Sequence, residues 1–209
     1  MYRKSQKIID SFLNKYEFDD KEIDKLCSLA NSKNSEIRSK VAAILGGVSG
    51  KKVEDTLYSL SFDKDDIVKL EAIDSLAAGE SLLSLQRLQQ ICSDEDPYSR
   101  FFGFQSYCDV FLNRFSLSRK EELLNMLKEY EKQESDSSVM AAIYKCKAIC
   151  DDKQSVFTLM QMHTKAVEER NFHLISPVFN LISELTDYLE DEDVLKEIDE
   201  YLSAQKVAI

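Results

Sequence analysis

Residues 63–76 read DKDDIVKLEAIDSL, and this pattern occurs twice more at a spacing of 31 residues. The other copies are SKNSEIRSKVAAIL at 32–45 and DEDPYSRFFGFQSY at 94–107. Each copy has a polar turn, then an Asn or Asp, and then a small or apolar residue at every fourth position. A repeat of this length predicts a stack of similar units, because one such unit cannot bury its apolar face alone.

Each copy also carries the start of a helix. The recurring Asn or Asp is expected to be an N-cap, because its side chain can accept hydrogen bonds from the free N–H groups of the first turn. The three expected caps are Asn34, Asp65 and Asp96. Apolar residues also precede each turn at the same spacing, as Leu26, Leu57 and Leu88. Each unit is therefore predicted to be a pair of amphipathic helices.

The composition agrees with an all-helical chain. The 209 residues include only 5 Gly and 2 Pro, which leaves few residues that favour tight turns. Hydrophobic residues make up 44% and charged residues 31%, as in ordinary folded proteins. We expect more than about 70% helix and no sheet.

The copies at 32–45 and 63–76 resemble the HEAT-repeat family, particularly its short bacterial variety. The resemblance covers about residues 20–108 and is weak from 115 to 209. It implies an all-α fold, a right-handed α-α superhelix of about five helical hairpins with capping helices. In such a fold the second helix of each hairpin lines a concave groove, and most such proteins bind other proteins.

We therefore expect a single α-solenoid domain over residues 1–209, with regular 31-residue repeats over about 20–111 and divergent repeats over about 117–205. Ser99 and Gly103 depart from the aliphatic and alanine positions of the family pattern. The remaining helices are expected at 3–15, 119–132, 138–150, 153–169, 172–189 (interrupted by Pro177) and 192–204.

The open face of the second helices supplies the candidate site. With the first apolar residue after the cap as position 1, positions 3, 4 and 7 point away from the buried stripe. In the second and third units these positions hold Leu70, Glu71, Asp74, Phe101, Phe102 and Gln105. In the fourth unit they hold Met140, Ala141 and Tyr144, if Ser138 opens the helix, and Met140 and Tyr144 extend the candidate site.

Together these residues predict an apolar stripe rimmed by acids, which we take as the partner-binding surface because exposed aromatic side chains are typical of interface cores. The open alternative is that tight curvature or the divergent C-terminal half buries the rings internally. On the first interpretation, replacing Phe101 and Phe102 by Ala affects binding and spares stability. Replacing Phe104 on the core stripe has the opposite effect.

The net charge of −11, from 38 acids and 27 bases, indicates the kind of partner. Nucleic-acid binders usually show a basic surface, so we expect no nucleic-acid partner and instead a protein with a basic surface. Charge that serves only solubility is the alternative. The leading hypothesis is a non-catalytic binding scaffold, in its sharpest form an immunity or inhibitor protein for a bacterial toxin. The resemblance leaves an enzyme as the alternative, either a DNA glycosylase or a bilin lyase.

Other candidate sites have structural interpretations. The bases Arg38, Lys69 and Arg100 recur with the repeat and are expected to join neighbouring repeats through acids of the adjoining turns. Cys146 and Cys150 lie one helical turn apart, but neither they nor His163 and His173 show the spacing of a metal site. The glycines at 46–50 indicate a helix C-terminus rather than a phosphate loop. We expect no catalytic residue, no metal and no cofactor.

The remaining expectations concern location and assembly. The five cysteines are an odd number without extracellular spacing, which favours reduced, buried thiols and a cytoplasmic protein. Neither a signal peptide nor a membrane-spanning run is recognisable, so we expect no membrane partner. We expect a monomer rather than an oligomer.

Overall fold

The computed structural model describes residues 7–12, 15, 17–79, 81–115 and 119–207. Of the described residues 78% are helical and none lies in a β-strand, which confirms the all-α prediction. The chain divides into two compact units, residues 1–114 and 115–209, and each is described by itself. One continuous solenoid over the whole chain stays a prediction.

In the described part of the first unit, six helices follow the short helical segment at residues 7–10. They are α1 (Asp20–Leu29), α2 (Ser35–Leu45), α3 (Lys51–Leu60), α4 (Asp66–Ala78), α5 (Leu82–Ile91) and α6 (Pro97–Phe115), the last of which ends at the boundary. The first helices of successive hairpins pack side by side, as α1 with α3 and α3 with α5. The second helices α2 and α4 pack together in the same way. The first unit is therefore a two-layered stack of hairpins that begin near residues 20, 51 and 82, as the repeat predicted.

The predicted core stripe of the second helices is buried at all nine positions: Ile37, Val41, Leu45, Val68, Ala72, Leu76, Ser99, Gly103 and Tyr107. The two departures from the family pattern have local causes. The Ser99 hydroxyl donates to Oδ2 of Asp96 at 3.2 Å, which satisfies it inside the core. A Cβ atom on Gly103 would lie 2.8 Å from Cγ2 of Ile91, so the close approach of α5 and α6 needs a glycine there.

The predicted N-caps are confirmed. Asn34 accepts from the N–H groups of Glu36 and Ile37, at 2.8 and 3.4 Å. Asp65 accepts from Ile67 and Asp96 from Tyr98, each at 3.2 Å. These bonds satisfy amide groups that have no partner within their own helix.

The basic ladder joins repeats as predicted. The Arg38 guanidinium donates from Nε and Nη2 to both carboxylate oxygens of Asp63, in the next turn along the stack, at 2.6 and 2.7 Å. Lys69 also pairs with an acid of the next turn, but with Asp96, two residues after Asp94, the repeat equivalent of Asp63. Arg100 instead donates to the carbonyls of its own preceding turn.

The second unit contains α7 (Lys120–Glu131), α8 (Ser137–Ile149), α9 (Lys153–Glu168), α10 (Phe172–Glu184), a 3₁₀ turn (Leu185–Asp187) and α11 (Glu192–Val207). Two hairpins, α7/α8 and α9/α10, bring the described hairpins to five, and α11 packs on α10. Among the terminal acids, Asp191 accepts from the N–H of Val194 at 3.1 Å and pairs with Lys153. This acid therefore stabilises the start of α11.

Two boundaries differ from expectation. α10 runs through Pro177 without interruption, although a proline inside a helix removes one backbone hydrogen bond and crowds the preceding turn. At the front, residues 7–10 are helical and 11–12 form a turn, and the rest of the helix expected at 3–15 lies mostly outside the described residues.

Candidate partner-binding face

A second face of α4 and α6 lies away from their core stripes. On each helix it consists of four residues spaced so that they share one side, at steps of three, four and seven. The eight residues are Ile67, Leu70, Glu71 and Asp74 on α4 and Tyr98, Phe101, Phe102 and Gln105 on α6. We call them the acid–aromatic face. The 31-residue repeat gives each residue of α4 an equivalent on α6.

The aromatic part is a cluster of three rings. Phe102 lies 4.9 Å from Phe101 and 4.9 Å from Tyr98 between ring centroids, in both cases edge to face. This geometry is favourable for aromatic pairs. All three side chains are half-buried. The rings therefore pack against one another and still present an edge to solvent, which is intermediate between a freely exposed stripe and an internal cluster.

Lys69 connects the two helices at this face. Its ammonium pairs with Asp96, the N-cap of α6, and lies 3.2 Å from Oδ1 of Asp66. It also lies 5.9 Å from the centre of the Tyr98 ring. The ion pairs hold the first turn of α6 beside α4 and already engage the positive charge of Lys69.

The acidic part lacks such partners. Glu71 is half-buried and Asp74 is exposed, and neither carboxylate has a hydrogen bond or ion pair with any described residue. Desolvation by the surrounding protein raises the pKa of both groups, and the charge of Asp74 raises the pKa of Glu71 further. Asp74 also contributes, after desolvation and Asp66, to a raised pKa of the Tyr98 hydroxyl. Two negative charges without a counter-charge thus lie on the acid–aromatic face, and that of Asp74 influences the Tyr98 hydroxyl.

Two residues of the face were missed by the sequence analysis. Ile67, with 69% of its surface exposed, and Tyr98 lie one turn before Leu70 and Phe101. The repeat could have predicted both residues, because Ile67 and Tyr98 are 31 residues apart. They extend the same helical faces towards the N-terminal ends of their helices.

Met140 and Tyr144 belong to the second unit and lie one turn apart on α8, both half-buried. Met140 borders an open groove with Met126 on α7. The Tyr144 ring lies 5.1 Å from the ammonium of Lys147. Desolvation and a hydrogen bond with Glu131 raise its pKa to about 12.

The pattern assumed for α8 is shifted. Asp136 is the N-cap, so the helix begins one residue before the Ser138 of the prediction. Ala141, at a position expected to face outward, is fully buried, because α8 packs against α7, α9 and α10. The open positions of the first unit therefore do not transfer to α8 as a set.

The cysteines and the central histidine belong to the core. All five cysteines are buried and none of them forms a disulfide bond, in agreement with the predicted buried thiols. Burial, reinforced by Cys146, raises the pKa of Cys150 to about 12, so this thiol is not a nucleophile at neutral pH. His163 is 2% exposed, and its Nδ1 lies 2.8 Å from the Tyr201 hydroxyl. Within the described ranges no three His, Cys, Asp or Glu side chains are grouped to hold a metal ion.

Comparisons with known proteins agree with the repeat. None of the helices in the described part of the chain is long and apolar enough to span a membrane. A search of curated proteins found no match. The family model for HEAT repeats matches residues 23–101, and HEAT repeats generally serve as scaffolds for protein–protein interaction. This match begins within α1 and ends within α6, so it includes the copies at 32–45 and 63–76 and the first eight residues of the copy at 94–107. The segment from 23 to 101 is therefore similar to the HEAT-repeat family, which this match supports over that part of the chain.

Proposed function

We propose that this chain is a non-catalytic scaffold that binds a protein partner on the acid–aromatic face, and that the partner presents basic side chains there. The single observation that carries the proposal is the pairing of unlike features on α4 and α6. Glu71 and Asp74 have no counter-charge, and next to them three aromatic rings are only partly covered.

A basic partner would stabilise the two partly desolvated carboxylates and cover the partly exposed rings. A carboxylate that has lost part of its hydration is stabilised by a nearby cation, and Glu71 and Asp74 also repel one another. Half-buried rings gain from losing their remaining contact with water, and aromatic residues often supply most of an interface's binding energy. The net charge of −11 favours approach of a basic surface over an acidic one.

In its sharpest form, the proposal makes the chain an immunity or inhibitor protein that masks a basic bacterial toxin. The acidic charge and the small size of the binding unit support this form. An equimolar amount of the chain would then block the activity of such a toxin, and the same amount of a Glu71→Gln/Asp74→Asn variant would not.

Panning a random peptide display library on the immobilised protein tests the general proposal. The wild type is expected to select peptides that combine basic and apolar residues. The variants Glu71→Gln/Asp74→Asn and Phe101→Ala/Phe102→Ala should each lose these peptides. The control Asp20→Asn/Glu95→Gln also removes two negative charges, at exposed positions that are not among the eight residues of the face, and this variant should keep the selected peptides.

Stability measurements separate binding from folding. Phe104 is fully buried, so Phe104→Ala should cost about 3–5 kcal/mol of unfolding free energy. Replacing the half-buried Phe101 and Phe102 should cost less unfolding free energy per ring. The double variant Phe101→Ala/Phe102→Ala should therefore remain folded at the panning temperature. Selected peptides that bind both face variants as well as the wild type would place the binding surface elsewhere and overturn the proposal.

A further inference from the structure

We infer that the acid–aromatic face receives an arginine side chain of the partner, with the guanidinium plane stacked on Tyr98 and Phe102 and its N–H groups donating to Glu71 and Asp74. This inference deepens the proposed function and rests on it. It replaces a generally basic partner by one chemical group.

The chain itself contains this arrangement twice. The guanidinium carbon of Arg87 lies 4.3 Å from the centre of the Tyr58 ring, and Nη2 donates to Asp55 at 2.7 Å. In the second unit Arg119 lies 4.1 Å from the Phe115 ring, and its Nε donates to Glu122 at 2.6 Å. In both places one guanidinium contacts a ring face and a carboxylate together.

The acid–aromatic face has the ring and the carboxylate without the guanidinium. Tyr98 and Phe102 lie 4.9 Å apart, and the 31-residue repeat places Glu71 at the position on α4 equivalent to Phe102 on α6. Asp74 is near enough to influence the Tyr98 hydroxyl. A group that completes the arrangement must therefore be cationic, flat and able to donate several hydrogen bonds.

Arginine fits these requirements better than lysine. Its guanidinium is planar, stacks on aromatic faces and donates through a rigid fork, whereas an ammonium is a compact, strongly hydrated charge. Distances within this chain show the same contrast. The ammonium groups of Lys147 and Lys69 lie 5.1 and 5.9 Å from the centres of their rings, farther than either guanidinium described above.

The four described arginines of the first unit, Arg38, Arg87, Arg100 and Arg114, already have partners within the chain. Arg38 is bonded to Asp63, and Arg87 is bonded to Asp55. Arg100 donates to the carbonyls of Asp94 and Glu95 at 2.8 and 3.0 Å. The guanidinium is therefore expected from another molecule.

Three short peptides test the inference on the native protein. They are acetylated, amidated and identical except for a central Arg, Lys or citrulline flanked by Gly and Leu, so Arg and Lys carry equal charge and citrulline keeps the shape without charge. Binding is followed by NMR through the amide signals of residues 66–74 and 97–105. The arginine peptide should shift these signals saturably, with a Kd at least about fivefold lower than that of the lysine peptide. The citrulline peptide should produce no saturable shift.

Two variants test whether the aromatic rings or the carboxylates cause the preference for the arginine peptide. Tyr98→Leu/Phe102→Leu keeps apolar volume but removes the stacking surface, so the Arg and Lys peptides should bind it equally. Glu71→Gln/Asp74→Asn should lose both peptides, and Asp20→Asn/Glu95→Gln should retain the wild-type preference. The far-ultraviolet circular dichroism of each variant must match the wild type.

The outcomes separate this inference from the proposed function. Equal Kd values for Arg and Lys on the wild type, with both lost in Glu71→Gln/Asp74→Asn, would overturn the arginine inference and leave the binding face in place. An arginine preference that persists in the leucine variant would also overturn it. If neither peptide shifts the α4 and α6 signals and panning also fails to depend on the face, both proposals fall.

Discussion

At the scale of single residues, Gly103 controls how closely α5 and α6 approach. A Cβ atom there would meet Cγ2 of Ile91 at 2.8 Å and backbone atoms of the same turn at 3.3 Å. Gly103→Ala should therefore destabilise the protein by about 1–3 kcal/mol through overpacking. Urea denaturation measures this loss. Gly47→Ala is the control, because no atom lies within 4 Å of its Cβ, and it should leave stability unchanged or slightly raised.

The raised pKa values of Glu71 and Asp74 predict a pH-dependent effect on stability. A carboxyl whose pKa is higher in the folded protein favours folding below its unfolded pKa, about 4 for both residues. This contribution is lost as pH rises through the folded pKa, so the ionised pair opposes folding at pH 7. Glu71→Gln/Asp74→Asn should consequently have a higher Tm than the wild type at pH 7, and the difference should shrink as pH falls towards about 4.

Asp63 should show the opposite pH dependence of stability when the Tm is measured in the same way. Burial opposes its ionisation, but hydrogen bonds from Arg38 and the Asp65 N–H outweigh burial and lower its pKa. Its contribution to stability is therefore present above an unfolded pKa of about 3.9 and lost as pH falls through the folded value. Asp63→Asn should lower the Tm at pH 7 and have less effect in acid. A Glu71/Asp74 variant that is less stable than the wild type at pH 7 would show that their charges are compensated.

At the scale of helices, the two equivalent caps Asp65 and Asp96 should not be equally important. Each caps its helix, but Asp96 also pairs with Lys69 and accepts from Ser99. Asp65→Ala should cost about 0.5–2 kcal/mol, the usual value of an N-cap, and Asp96→Ala should cost more. Urea denaturation with a constant m value measures both. Equal losses would mean that the Lys69 pair adds nothing to stability.

At the scale of the whole molecule, the charge of −11 should act mainly on the rate of partner encounter. Raising NaCl from about 50 to about 500 mM should reduce the association rate constant of a basic peptide selected by panning severalfold, because salt screens long-range attraction. The dissociation rate should change less, since it depends on close contacts. Stopped-flow fluorescence with a labelled peptide measures both rates. An association rate that does not respond to salt would limit the role of the charge to solubility.

The sequence by itself determined the helices of the first unit, their caps and their buried stripe. These features depend on short-range rules: an N-cap acts within its own first turn, and a buried stripe is a property of one helix. The 31-residue repeat then predicted the same N-cap at Asp65 and Asp96 as at Asn34. It also located most of the acid–aromatic face, from Leu70 to Gln105, because equivalent positions in stacked hairpins face the same way.

Only the tertiary structure decided how far each residue of that face is covered. The half-burial of Phe101 and Phe102 depends on Tyr98 and on how closely α6 packs. The lack of partners for Glu71 depends on which side chains the neighbouring helices bring to it, since Lys69 lies two residues away on α4 and points to a different side of the helix. The buried Ala141 has the same explanation, because three neighbouring helices surround α8. Burial and charge compensation depend on residues distant in sequence, and no local pattern specifies which of them will be neighbours.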